Sequence, residues 1–582
     1  MANPLLMLLA RRQPTAHTAP LRRVAVPVPT EVPSTDAIFL VLRRMRGPLI
    51  VLIATFSISV LGLMLIPGVD DQGRPHQLTA FDAFYVISYT ATTIGFGELP
   101  YPFTTLQRMW VIVAIYASVV GWAYSIGALF ALMQDRGFRE AVALQRFRRR
   151  VAKLAEPFFI VAGYGQTGRR VCASLDDLGK RFVVIDVDQS AINKMTTGAL
   201  VVDAPAIDGN ATNPAMLGLA GLGHPRCAGV IALTDDAEAN LSIVMTVNLL
   251  RPELPVYARA DDREIAERMC DFEPAGVVNP FDEYGEYLLM ALRRPSTFQL
   301  VSWFLNPRGT PLPPRREGLA DGRWVIVGDN KFTREVTADF TAAGLDVTHA
   351  SPQEGAPDLT GAVGVVAGAG RDATNLAVAA HARRENPGMF ISVRQSTIRH
   401  EALLDAFDPD SVFVPSQLVA REILARVIAP HLWSFLEQVM QQDDEWAQGV
   451  LKALRRRCGS ATPETVLLQL DRAHAPSVVR WLRTHELTLR DLLRHPEDRT
   501  QRLPVAVLAI ICDDHTRYAP DLDQPVRVGD QLLLAGRGIG FDMLSGTLFS
   551  DAAVEYVSTG RQVPTTWLFR LAYNARRRRL EG

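Results

Sequence analysis

Two stretches of the chain run for a helix's length without a charge. Leu49–Ile66 is 18 residues and Trp110–Met133 is 24. At about 20 residues per bilayer crossing, the first is a span of minimal length and the second a comfortable one. Between them Phe81–Thr92 is apolar and aromatic, which predicts a short helix of about three turns. Past residue 155 the pattern changes. Short apolar runs, Phe158–Ala162, Phe182–Ile185, Ala199–Val202, Gly229–Leu233, Pro255–Ala258 and Val277–Val278, alternate with stretches of helical character. That alternation predicts a parallel, doubly wound α/β sheet.

Charge orients the two spans. Arg43, Arg44 and Arg46 precede the first; Arg136, Arg139, Arg146, Arg148, Arg149, Arg150 and Lys153 follow the second. Between them the only cations are Arg74 and Arg108, against Asp70, Asp71, Asp82 and Glu98. The excess of arginine on the outer flanks predicts a hairpin in the cell (inner) membrane with both termini cytoplasmic. After the short apolar helix comes Thr93-Ile94-Gly95-Phe96-Gly97-Glu98. Two glycines one residue apart let the backbone turn its carbonyls toward an axis that side chains would block. Stacked carbonyl rings can replace the hydration shell of a cation.

The soluble part opens on a second glycine motif. Gly163-Tyr164-Gly165-Gln166-Thr167-Gly168 follows the run Phe158–Ala162 and leads into helix-like Arg169–Leu178. The next apolar run ends in Asp186, 18 residues past Gly168. Strand, glycine loop, helix and acid in this order form a dinucleotide-binding fingerprint. The glycines let phosphate approach a helix N-terminus, and Asp186 would accept from ribose hydroxyls, which favours NAD(H) or an adenine nucleotide over a 2′-phosphorylated cofactor. The acidic run Asp235, Asp236 and Glu238 reads better as a helix start complementing the dipole than as a metal site, and no metal ligands are assigned.

A repeat follows at an offset of 135. Gly229, Asn240, Leu241, Pro252, Arg259, Phe272, Pro274, Val277 and Pro280 recur as Gly364, Asn375, Leu376, Pro387, Arg394, Phe407, Pro409, Val412 and Pro415. Nine identities in register indicate duplication. The second copy starts at Trp324–Val327 after a linker with four prolines. Its glycine loop is degraded to Gly328-Asp-Asn-Lys-Phe-Thr333, and the place of Asp186 falls near His349. Gly368-Ala-Gly370 reads as a tight turn.

Composition adds exclusions. Of 582 residues, 48% are apolar, 21% are charged and the net charge is −1. That argues against a disordered chain and against nucleic acid as partner. The five cysteines form no CxxC pair, as suits a reducing compartment. The run Arg576–Arg579 reads as a solvated tail rather than a lipid contact.

Thr93–Gly97, set between two spans, resembles the potassium-channel signature, with Ile for Val and Phe for Tyr, and with Glu98 where the family usually has Asp. Phe96 lacks the hydroxyl that braces the filter from behind. The resemblance implies a two-transmembrane prokaryotic potassium channel, with residues 155–305 and 323–457 similar to RCK domains (regulators of potassium conductance). It implies Thr93, Ile94, Gly95, Phe96 and Gly97 as filter, and Gly121 or Gly127 as a hinge in the second span. It adds Asn210, Ala211, Thr234 and Arg259 to the nucleotide residues, with Asn210 where the family has Asp. The expected layout is a disordered tail (1–40), pore domain (41–135), linker to the gating ring (136–154), first lobe, second linker (306–322), second lobe, a small α+β C-terminal subdomain (458–545) and a tail (546–582). The expected protein is a homotetramer in the lipid bilayer with eight lobes, potassium as permeant ion, NAD(H) or ADP/ATP as regulatory ligand, and calcium left open. The alternatives are a non-selective cation channel with the same ring, and a membrane-anchored NAD-dependent oxidoreductase. No pattern for a catalytic base accompanies the glycine loop, so no enzyme is expected.

Overall fold

A computed structural model of the chain describes residues 27–29 and 37–562, except 99, 199, 307, 315–320, 397–400, 513 and 514. Arg576–Arg579 lie outside the described residues, as does most of the tail expected over 1–40. The spans form a hairpin of α1 (Ala37–Leu65) and α3 (Thr105–Gln134) around a short α2 (Ala80–Ala91). α2 starts at a capping box in which the Thr79 side chain accepts from the Asp82 N–H and the Asp82 carboxylate accepts from the Thr79 N–H. Thr104 and Gln107 start α3 in the same way, since two otherwise unpaired donors are satisfied reciprocally. Gly62 leaves room for the Trp110 ring between α1 and α3, and the Trp110 Nε1–H donates to the Ser59 carbonyl at 3.0 Å. Both long helices are long and apolar enough to cross a membrane, and only 17% of either apolar window is buried. Their outer faces therefore have no protein cover within one chain, unlike the core helices of a soluble fold.

The second span ends at Asp135, whose side chain caps the next helix, α4 (Arg136–Ala152), by accepting from the Phe138 N–H at 3.1 Å. Phe147 and Val151 of α4 are buried in the core of the first lobe. That lobe has six parallel strands: β1 (Phe158–Ala162), β2 (Arg181–Asp186), β3 (Ala206–Asp208), β4 (Cys227–Ala232), β5 (Val256–Arg259) and β6 (Gly276–Val278). They lie in the order β3-β2-β1-β4-β5-β6, the doubly wound dinucleotide-binding arrangement. The third strand is displaced from the predicted run Ala199–Val202. Val201 and Val202 give their N–H groups to the Asp176 carboxylate instead, and the strand begins after Pro205.

The second lobe has β7 (Arg323–Val327), β8 (Asp346–Ala350), β9 (Ala362–Ala367), β10 (Phe390–Arg394) and β11 (Ser411–Phe413), all parallel, in the order β8-β7-β9-β10-β11. Among the described residues it has no counterpart of β3. The 135-residue offset carries β4 onto β9 and β6 onto β11 without slippage. It also preserves a hydrogen-bond pattern. The Asn240 side-chain amide donates to the carbonyls of Thr234 and Arg259, and that of Asn375 donates to Ala369 and Arg394. The helices after each sheet, α7 (Pro280–Arg293) and α10 (Pro415–Ile428), cross to the other lobe. α7 packs on α9 (Lys331–Ala342), and α10 packs on the glycine-loop helix α5 (Gln166–Asp177). Tyr284 of α7 stacks on Phe413 with ring centroids 4.2 Å apart, so the two lobes share one core.

This crossing buries a carboxyl. Asp339 of α9 lies among Asp282, Glu286, Glu335 and Arg263, and its Oδ2 has no hydrogen-bond partner. Burial, then the neighbouring Asp282, pushes its pKa from 3.8 up to about 8. The fold holds a proton here that the unfolded chain releases above about 4. The stabilisation is therefore complete below that pH and lost as pH rises through about 8, by at most about 1.4 kcal/mol per unit. Asp339→Asn mimics the protonated form. Its thermal midpoint is expected to exceed that of the parent chain increasingly from pH 4 to 8; parallel pH curves for the two would refute this.

Pro430–Gln441 and Asp444–Cys458 pack with the C-terminal part, a four-stranded antiparallel sheet of Glu464–Gln469, Gln531–Gly536, Val505–Ile511 and Thr516–Tyr518. The stretch expected as a tail over 546–582 is folded in its first part, because Asp551–Thr559 is a helix that buries Ala552, Val554 and Val557; residues 563–582 lie outside the described residues.

Candidate functional site

Two places concentrate unusual geometry. The first is the segment after α2. Thr93, Gly95 and Gly97 have φ of +61°, +67° and +102°, whereas Ile94 and Phe96 keep negative φ. A backbone that reverses handedness at each residue turns successive carbonyls to one side, and a β-branched residue such as Thr93 enters this region only when held there. Here the N–H groups of Thr93 and Ile94 are tied to the carbonyls of Thr90 and Tyr89 at 3.1 and 2.9 Å. Behind the segment the Tyr89 hydroxyl donates to the Gly97 carbonyl, and its ring meets Phe96 edge-on at 5.6 Å. Tyr89 thus supplies a brace that Phe96 cannot. The sequence carried that signal only as one more aromatic in the short helix. Glu98 accepts from Arg108 at 2.7 and 3.0 Å and from the Phe103 N–H at 2.8 Å. Arg108 holds the Glu98 carboxyl below its usual range. The side chains of Ile94 and Phe96 are exposed in one chain. Gly121 is buried against α1, where an added Cβ would lie 3.7 Å from the Thr55 hydroxyl, while one on Gly127 would meet open space. α3 runs on as one helix through both.

The second place is the glycine loop at the carboxyl ends of the first sheet. Gly163 has φ of +100°, and an added Cβ would lie 2.7 Å from the Leu233–Thr234 backbone. A Cβ on Gly168 would enter the Gly163 carbonyl, so this glycine sets helix-to-strand packing. Gly165 caps α5 with ordinary φ and ψ of −70° and −157°. A cavity of about 490 Å³ opens in front of it, bounded by Tyr164, Arg169, Asp186, Asn210, Thr234 and Asp235 among others. Gly163 and Ala211 also line it; Gln166, Thr167, Gly168 and Arg259 do not.

The roles divide accordingly. The Asp186 carboxylate accepts from the N–H groups of Tyr164 and Asp188. The Asn210 side-chain oxygen accepts from the Thr212 N–H and hydroxyl at 2.9 and 2.8 Å, shaping the turn beside the cavity. Gln166 donates to the Ser396 carbonyl of the second lobe at 3.3 Å. Arg259 is doubly bonded to Asp261 at 2.7 Å and reaches Thr167 at 3.3 Å, bracing the helix start from below. Arg169 was missed by the sequence reading. It lines the cavity, with its guanidinium 5.7 Å from the Tyr164 ring centre. The available signal was a cation directly after the last glycine of the motif.

In the second lobe the register pairs Val327 with Ala350 as Ala162 pairs with Ile185. The counterpart of Asp186 is therefore Ser351, two residues beyond the expected His349. Phe332, fully buried, stacks on Phe413 at 4.7 Å and sits against Gly368, while His349 Nε2 meets the Gly328 carbonyl at 2.6 Å. Among the described residues no group of three or more His, Cys, Asp or Glu side chains is arranged to hold a metal.

Residues 49–135 match a family model described as an ion channel, and residues 159–280 match the TrkA-N domain. Potassium channel protein 1 of Methanocaldococcus jannaschii is 27% identical over 235 residues, 40% of this chain and 66% of that protein. Probable potassium channel protein 2 of the same organism is 24% identical over 262 residues, 44% of this chain and 72% of that protein. The chain thus spans just under two thirds of the first relative. Among solved structures, the GsuK channel bound to NAD is 13% identical with a TM-score of 0.41, covering 88% of this chain and 100% of that one.

Proposed function

We propose that this chain, a two-span potassium-channel module joined to tandem RCK-type Rossmann lobes, works as a homotetrameric potassium channel opened or closed by a nucleotide at its first lobe. The alternating handedness of Thr93–Gly97 between two membrane-length helices carries the reading. One chain supplies one quadrant of carbonyls, and a ring needs several. The exposed filter side chains and apolar outer faces of α1 and α3 are the surfaces that neighbours and lipid would cover. Four chains bring eight lobes.

Gating follows from the way α4 is fastened. It leaves the second span at a single extended residue, Asp135, and its far end is buried in the first lobe, so a displaced lobe carries the end of the span with it. A nucleotide in the Gly165 cavity shifts the equilibrium only by its unequal affinity for the two ring states. About 1 kcal/mol per site over four sites changes the open-to-closed ratio about 10³-fold. The diphosphate would face the N-terminus of α5 with Arg169 as its cation, and Asp186 would turn to the ribose hydroxyls.

The test is potassium flux in liposomes titrated with NAD, NADH, ADP and ATP, alongside calorimetric binding. Flux that changes with at least one nucleotide, and a reversal potential that follows potassium over sodium, are expected. Flux indifferent to all four, with none bound, would defeat nucleotide gating. Equal permeation of sodium would favour a non-selective channel, and substrate-linked loss of NADH absorbance an oxidoreductase.

A further inference from the structure

Residues Pro27, Val28 and Pro29 precede the first span in sequence, yet they lie against the first lobe. Pro27 and Val28 form one wall of a groove of about 550 Å³ whose other walls include Arg148 and Val151 of α4, Gly218 and Leu219 of the helix Pro214–Leu219, and Gly223. Val28 is half-buried and packs on the lobe's core. The docking of Pro29 depends on the side chain that Gly218 lacks. A Cβ on Gly218 would enter the Pro29 carbonyl, and one on Gly223 would lie 3.5 Å from the Cβ of Val28. Neither glycine has positive φ, so backbone conformation does not require them; at Gly218 the Pro29 carbonyl does, while Gly223 has room for a Cβ in ordinary contact with Val28.

We infer that Pro27–Pro29 is a strap that docks its own chain's first span onto the first lobe and restrains the pore. Pro29 is eight residue steps from the start of α1, at most about 28 Å of chain. The second span reaches the same groove through α4. Both cytoplasmic ends of the hairpin are thereby tethered to one patch of one lobe, and while the strap is docked the start of α1 can move no farther from that patch than this length allows. The two prolines limit the backbone freedom lost on docking, and Val28 supplies the apolar anchor. The effect on flux rests on the channel reading; the docking does not.

The test uses the full chain in liposomes. In Val28→Cys/Gly223→Cys the two Cβ atoms fall at a separation suited to a disulfide. Oxidation is expected to give a faster-migrating monomer on a non-reducing gel, absent from either single variant, and to lower ligand-free flux several-fold until reductant is added. Adding Gly218→Leu fills the place of the Pro29 carbonyl and is expected to abolish the disulfide. Alone, Gly218→Leu raises ligand-free flux several-fold. Val28→Asp leaves the lobe untouched and should raise flux equally, which separates release of the strap from damage to the lobe. No disulfide, or a disulfide-linked dimer, would overturn docking within the chain. A disulfide that forms without changing flux, in protein that conducts, would overturn the restraint. A chain that forms the disulfide and never conducts would fault the channel reading instead.

Discussion

Potassium flux through liposomes carrying Gly97→Ala is expected to fall by three orders of magnitude or more, with protein yield and oligomeric size unchanged. Gly97 sits at φ of +102°, and nothing in its own chain lies within 4 Å of an added Cβ. The methyl group therefore meets no wall. What it changes is the backbone, because a side chain disfavours this region by about 1–2 kcal/mol per residue. Alanine draws the peptide to the other handedness, turns the carbonyl away from its neighbours and loosens the bond from Tyr89. Four copies bring the cost of holding the conducting form to about 4–8 kcal/mol, which corresponds to about 10³–10⁶ in its population. Tyr89→Phe removes only the brace and should leave flux while weakening potassium-over-sodium preference. Gly97→Ala protein that conducts potassium with unchanged selectivity would place the ion path elsewhere.

Sequence and structure agree most closely where one physical rule acts alone. Membrane span length, the short helix between the spans and the alternation of strands with helices were legible because hydrophobic period decides them. The repeat was legible for a further reason. Asn240 and Asn375 bond the same pair of carbonyls in each lobe, so their identity is tied to the geometry that was duplicated. The failures are tertiary. Ala199–Val202 has strand composition, yet the N–H groups of Val201 and Val202 are claimed by Asp176, which no local pattern announces. The family resemblance put Arg259 among the nucleotide residues, but Asp261 holds it in a bidentate pair and it does not line the cavity. Arg169 takes the position facing the cavity instead. The docking of Val28 was invisible, since three residues in a proline-rich stretch have no period to read. The glycines that receive them, Gly218 and Gly223, look like any turn.

Gly165→Leu is expected to weaken binding of NADH, ADP or ATP by at least about 100-fold, near 2.8 kcal/mol, and to leave thermal stability within a degree or two. The two halves of that expectation come from different observations. Stability is spared because Gly165 already has dihedrals open to any residue, and only the Asp235 carboxylate approaches its Cβ, at 3.7 and 3.9 Å. Binding suffers because the side chain would stand where the first N–H groups of α5 meet the cavity, the place a helix offers to phosphate. The other loop glycines cannot separate these effects. Gly163→Ala must force positive φ and displace the Leu233–Thr234 backbone, and any side chain on Gly168 strikes the Gly163 carbonyl, so both would unsettle the sheet along with the site. Calorimetry on the full chain measures the affinity, and flux in the same preparation measures the consequence. If the ring transmits occupancy of this cavity to the pore, Gly165→Leu channels hold one level of flux at every nucleotide concentration that shifts the parent protein. Unaltered affinity would move the nucleotide out of the first lobe's cleft. Lost affinity with flux still responsive would detach the cleft from gating.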